Sequence, residues 1–171
     1  FMAPGTGVLL NNEMDDFSTA PGVANAYGLV GSVPNEIAPR KRPLSSMTPT
    51  FVEGPRGLLI VGTPGGSRII TMVTLGVLGW INGLDATAVA ALPRLHHQYL
   101  PDVLQFEPGA LDAAQQAELK ARGHQLYPLN SPYGNLQAVT WDGAQRLQAA
   151  SDPRGVGSSR VVITRTPVVT R

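Results

Sequence analysis

The stretch LLIVGTPGGSRIITMVTLGVLGW (58–80) decides how this fold is read. Leu58 to Val61 is a short unbroken apolar run of the length a buried strand takes. Gly62-Thr63-Pro64-Gly65-Gly66-Ser67 stops it, and Arg68 opens an apolar run to Trp80. Within that run Ile69, Met72, Val73, Gly76 and Val77 fall on one helical face. Ser67 stands where an N-cap belongs, and Asn82-Gly83 ends the helix. A strand that passes through glycines into a helix leaves unsatisfied N–H groups and a positive helix end beside approachable backbone. Such a turn suits an anion or an oxyanion. It lacks the Lys that precedes Ser or Thr in a phosphate-binding P-loop. The same glycines would equally serve a plain tight turn.

Outward from this unit, the chain alternates strands and helices. Val8 to Leu10 reads as a short buried strand running into the polar cluster 11–18. Residues 19–42, rich in Gly, Pro, Ala and Asn, read as one long loop. Leu84 to Leu92 reads as a second helix, Val103 to Phe106 as a strand, and Leu111 to Arg122 as an amphipathic helix ended by Gly123. Leu136 to Trp141 and Arg146 to Ala150 read as a hairpin around Asp142-Gly143. The class is α/β or α+β.

Composition narrows the function. The 171 residues are 43% apolar and 15% charged, which suits a folded domain and excludes a disordered chain. Nineteen glycines and 15 prolines mean many turns. No cysteine is present, so disulfides, thiolate metal sites and a Cys nucleophile are excluded. The net charge of +1 includes Arg160, Arg165 and Arg171 of a tail without acids, so the body is slightly acidic. That balance argues against a nucleic-acid surface. The longest apolar run, Ile69 to Ile81, falls short of the ~20 residues of a membrane span. No signal peptide is recognisable. The opening Phe1-Met2-Ala3-Pro4 is not a natural start, and the chain reads as a fragment or a processed subunit.

Several residues could carry chemistry. Glu13, Asp15 and Asp16 could hold an ammonium group or a cation, or form a solvated turn. On a strand Glu13 and Asp15 would share a face, with Asp16 opposite. Ser45 and Ser46 could donate to a carboxylate or simply bond locally. No G-x-S-x-G elbow surrounds them. Arg40-Lys41-Arg42 reads as a solvated loop. His96 and His97 would face opposite sides, a poor geometry for one metal ion. Asp152 and Arg154 read as a pair pinning a turn.

The order of these segments carries more than any one of them. NNEMDDFS (11–18), KRPLSSMTPT (41–50), GTPGGSRIIT (62–71), PRLHHQYLPD (93–102) and ASDPRG (150–155) together resemble the C-terminal small subunit of the γ-glutamyltranspeptidase family. The resemblance covers residues 1–157 as a domain, most closely from about residue 5, and leaves 158–171 as an unmatched basic tail.

The resemblance implies an N-terminal nucleophile hydrolase with a four-layer αββα sandwich, completed by a large subunit cleaved from the same autoprocessing precursor. It implies transfer of a γ-glutamyl group from glutathione, glutamine or a similar donor to water or an amino acid or peptide. The step would pass through a Thr-linked acyl-enzyme with no metal or organic cofactor. Gly65 and Gly66 would form the oxyanion hole. Ser45 and Ser46, with an Arg of the large subunit, would hold the substrate α-carboxylate, while Glu13 and Asp16 would hold its α-ammonium. Glu13 stands where some members carry Gln. The nucleophilic Thr would lie upstream of Phe1. A periplasmic or extracellular location is implied. The alternatives are a glutaryl- or cephalosporin-type acylase of the same superfamily, and a catalytically dead protein that binds glutamyl compounds.

Overall fold

The computed structural model describes residues 2–25, 28–144 and 146–162. Its centre is a four-stranded antiparallel sheet. β1 (Thr50–Gly54) and β2 (Gly57–Gly62) form a hairpin, with Thr50 opposite Val61. β6 (Gln137–Trp141) lies on the other side of β2, and β7 (Leu147–Ser151) closes the row. Side chains alternate across these strands. Leu59, Val61, Ala138 and Ala150 point to one face and are buried there. Leu58, Ile60, Val139, Trp141 and Leu147 share the opposite face, where an open apolar depression runs across the sheet.

Helix α1 (Arg68–Ile81) lies against β2, and α2 (Ala86–Ala91) against β6 and β7. The periodicity of the sequence is realised: Ile69, Met72, Val73, Gly76 and Trp80 turn inward, with Val77 packed against that core. Leu59 and Met72 are almost wholly buried, so truncating either to Ala costs about 2–5 kcal/mol. Asp85 caps α2 by accepting from Ala88 N at 2.8 Å. A smaller sheet joins β3 (Leu95–His96), β4 (Leu104–Phe106) and β5 (Leu126–Pro128). β4 and β5 are parallel, and α3 (Ala113–Ala121), closed by the Asp112–Gln115 capping box, makes the crossover between them. The fold is the expected mixture of helix and strand. Within this chain one helical layer covers one face of the main sheet.

Three local expectations fail. Val8 to Leu10 is not a strand; Leu9 makes only an isolated bridge to Met2, and all three side chains are exposed. The chain turns back through Gly5 and Gly7, at φ 74° and 69°, and Ala3 N donates to Val8 O at 2.9 Å across that turn. Glu13–Asp16 is a 3-10 turn rather than the end of a strand. Ser67 occupies the N-cap position, but its backbone is already helical and its side chain makes no cap. Strands β1, β3 and β5 leave no clear mark in the sequence, because two are very short and β1 begins in polar residues. The basic tail falls largely on 163–171, outside the described residues. Before them, Ser159 donates to Ala149 O of β7 at 2.9 Å.

One buried charge network ties these parts together. Arg94, Glu107 and Asp152 are each about 1% exposed. Arg94 donates to Asp152, to Tyr133 O and, at 3.1 Å, to Ala90 O. Arg154 reaches Glu107 at 2.6 Å and Asp152 at 3.1 Å, and donates to Leu92 O at 3.0 Å. Glu107 accepts from Arg94 N at 3.0 Å and Tyr133 N at 2.7 Å. Two guanidinium groups face two carboxylates, so no buried charge is left alone. Burial works to raise the Asp152 pKa, but hydrogen bonds from Arg154, Arg94 and Leu136 N outweigh it and hold the carboxyl below its ordinary range. Burial likewise opposes the Arg154 charge, and its bonds to Glu107 and Asp152 prevail. The expected Asp152–Arg154 turn contact is present, as one edge of this larger network.

Candidate active site

The register of the β1–β2 hairpin brings two of the candidate segments to one end of the sheet. Because Thr50 pairs with Val61, the chain before β1 and the chain after β2 leave the sheet at the same end. Pro49 lies beside Gly62, where an added Cβ would stand 3.9 Å from Pro49 Cα. Ser45-Ser46 lies a few residues before that point and Gly65-Gly66 a few residues after it.

On the β2 side, Gly65 and Gly66 have φ 143° and 58°. Both lie in the region that favours glycine, so the turn itself requires these residues. Their carbonyls accept from Arg68 N at 3.2 Å and Ile69 N at 3.1 Å. Among the described residues, the N–H groups of Gly65 and Gly66 donate to no protein acceptor. They stand at the positive end of α1. Asn135 N reaches Thr63 Oγ1 at 3.4 Å, linking the turn to the segment that the charge network holds.

A polar chain borders the turn. Ser67 Oγ donates to Gln98 Oε1 at 2.7 Å, which is why this serine does not cap α1. Gln98 Nε2 donates to Leu100 O at 2.6 Å, so Oε1 is the atom that faces His96 Nε2 at 2.9 Å. His96 Nε2 therefore carries the proton, and Nδ1 faces the Thr71 hydroxyl at 2.9 Å. Burial pushes the His96 pKa below 6.5; the Gln98 bond opposes this, and the Arg68 and His97 charges add to it. His96 is buried and His97 exposed, as their adjacency predicts. Gly65, Ser67, Arg68, His96 and Gln98 line a depression of about 390 Å³. Arg68 also stacks over the Tyr133 ring at 4.5 Å, and burial pushes the Tyr133 phenol up to about 12.

On the β1 side, Asp16, Ser45 and Ser46 line a single cleft of about 250 Å³. Asp16 and Ser46 are half-buried and Ser45 is exposed. Ser45 Oγ accepts from Met47 N at 3.2 Å, which leaves its hydrogen free to donate outward. In the 3-10 turn, residues three apart eclipse one another, so Glu13 and Asp16 project to the same side. This reverses the strand-based grouping of Glu13 with Asp15. Glu13 is exposed and does not line the cleft. Gly65 and Gly66 are not in its lining either; their turn stands at the same sheet end, where Gly65 lines the other depression.

Sequence reasoning misses what joins the cleft. Asn35, in the 3-10 turn Val33–Asn35, donates to Asp16 O at 2.7 Å and accepts from Leu44 N at 2.9 Å. Pro34-Asn35 is a turn signal inside the long loop, and it is the one local clue. The roles of Arg94 and Glu107 have no local signal at all. Among the described residues no three His, Asp or Glu side chains converge as a metal site requires, and no helix is long and apolar enough to cross a membrane.

Residues 1–162 match the family described as gamma-glutamyltranspeptidase. The chain is 45% identical over 157 residues to a glutathione hydrolase proenzyme of Escherichia coli, covering 91% of this chain and 27% of that protein. It is 48% identical over 163 residues to a glutathione hydrolase proenzyme of Pseudomonas aeruginosa, covering 92% of this chain and 29% of that protein. The chain thus spans little more than a quarter of the length of these relatives. Among solved structures, gamma-glutamyltranspeptidase from Pseudomonas nitroreducens complexed with L-DON superposes with a TM-score of 0.81 at 43% identity. That match covers 95% of this chain and 86% of the other.

Proposed function

This chain belongs to the γ-glutamyltranspeptidase family, and from that premise we propose that it is the C-terminal part of the small subunit of a glutathione-hydrolysing γ-glutamyltransferase. The observation that carries the reading is the convergence of an acid and two hydroxyls in one cleft, with an open glycine turn at the same sheet end. A γ-glutamyl donor bears an α-carboxylate and an α-ammonium at one end and the scissile amide at the other. Ser45 and Ser46 donate to the carboxylate, helped by an Arg of the large subunit. Asp16 accepts from the ammonium, and Glu13 adds negative charge from the same side of its turn.

The nucleophile in this reading is the Thr that begins the complete small subunit. Its Oγ attacks the γ-carbonyl while its own α-amino group takes the hydroxyl proton. The N–H groups of Gly65 and Gly66 stabilise the oxyanion of the tetrahedral intermediate. Collapse breaks the C–N bond, the held proton passes to the leaving amine, and a Thr ester remains. Water or an acceptor amine then attacks that ester and restores the Thr. The two subunits arise from one precursor, and the enzyme works in the periplasm or outside the cell.

The test is chromophore release from a γ-glutamyl anilide by the complete two-subunit enzyme, with and without a dipeptide acceptor. Turnover that rises with acceptor is expected. The Asp16→Asn variant should lose at least about tenfold in kcat/KM, one charged hydrogen bond being worth roughly 1.5–3 kcal/mol. Unaltered turnover in that variant removes Asp16 from the site. An inactive enzyme with an intact N-terminal Thr overturns the whole reading.

A further inference from the structure

We propose that Asn35 is a positioning residue that sets the separation between Asp16 and the Ser45–Ser46 pair. Through that separation it confers preference for ligands carrying an α-ammonium and an α-carboxylate together. The inference rests on the reading above and deepens it. Asp16 and Ser45 are 29 positions apart in sequence, and neither lies in a strand. The Asn35 amide bridges their two segments directly. It donates to Asp16 O and accepts from Leu44 N, the residue before Ser45. A carbonyl can only accept and an N–H can only donate, so these two partners fix the amide's orientation.

Other contacts hold Asn35 itself in place. Its carbonyl accepts from Ser18 N at 2.9 Å, two residues beyond Asp16. Pro34 stiffens the 3-10 turn on which it stands. Asn35 sits at the wall of the cleft and is only 8% exposed. Asn35 therefore belongs to the frame of the cleft and acts on a ligand through the residues it places.

A separation matters only to a ligand that bridges it. L-glutamate, with ammonium and α-carboxylate, engages both sides of the cleft. Glutarate has no ammonium and engages the serine side alone. The experiment measures competitive inhibition by each against γ-glutamyl anilide turnover in the complete two-subunit enzyme, unaltered and carrying Asn35→Leu. The inhibition constant for L-glutamate should rise about tenfold, the worth of one lost hydrogen bond, while that for glutarate stays within about twofold. The anilide KM should rise with L-glutamate while kcat stays within about twofold, because the glycine turn is anchored elsewhere.

Asn35→Asp gives the second measurement, which stands alone if the Leu variant does not fold. It keeps the acceptor for Leu44 N–H and removes the amide donor to Asp16 O, so it too should weaken L-glutamate selectively. Equal changes for the two inhibitors, or no change for either, overturn the inference while leaving the proposed activity intact. If L-glutamate does not compete in the unaltered enzyme, the reading of the cleft falls and the inference with it.

Discussion

Replacing Asp152 by Asn tests what holds the segments around Arg94, Glu107 and Arg154 together. Asp152 accepts from four donors. Arg94 and Leu136 N, at 2.8 Å, share Oδ2; Arg154 N at 2.9 Å and Arg154 Nη1 at 3.1 Å share Oδ1. An amide of the same shape accepts on one side only. Its NH2 would face two of these donors, at least one of them a guanidinium, with no solvent to take them up. Stranding one member of a buried ion pair costs about 3–5 kcal/mol. We expect that loss at pH 7 in denaturant unfolding of the complete protein. The double variant Arg94→Met with Asp152→Leu should recover part of it, since it removes both members of the closest pair. The pH dependence has a definite sign. The folded pKa of Asp152 lies below its ordinary 3.8, so its stabilisation is complete above that value and disappears as pH falls through the lower folded pKa. The gap between the unaltered enzyme and the Asn variant should therefore close only in strong acid. A loss below about 1 kcal/mol at pH 7, or a gap that closes near pH 6, would refute the reasoning.

Two further expectations concern the glycine turn and its border. Gly66→Val places a β-branched residue at φ 58°, strain of about 1–3 kcal/mol; it should lower the acylation rate at least about a hundredfold in folded enzyme, and a normal acylation burst would dismiss the oxyanion assignment. His96 has a folded pKa below 6.5, so the stability tied to its neutral form is present above 6.5 and declines as pH falls toward the folded value. Unfolding midpoints at pH 7.5 and 5 should thus diverge more in the unaltered enzyme than in His96→Gln, and parallel behaviour would contradict a buried neutral imidazole.

Local sequence settles the elements whose physics is local. The strand Leu58 to Val61, the inward stripe of α1, the capped helix before Gly123 and the hairpin around Asp142-Gly143 are all legible because period, caps and turn residues act within a few positions. The glycines of the 65–66 turn belong here too, since their positive φ is a property of the turn itself. The order of the motifs along the chain likewise points to the family without any coordinates.

Tertiary structure decides the rest. Composition cannot tell whether an apolar triplet such as Val8 to Leu10 has a sheet to join, because a strand exists only with its partner. The pairing of Glu13 with Asp16 depends on a 3-10 turn, which places residues three apart on one side where a strand would separate them. Asn35 becomes part of the cleft through bonds spanning 19 and 9 positions, and Arg94, Glu107 and Asp152 meet from three distant segments. Which polar groups lose water together is set by how the whole chain packs, so their partners, their charges and their pKa values belong to the tertiary structure alone.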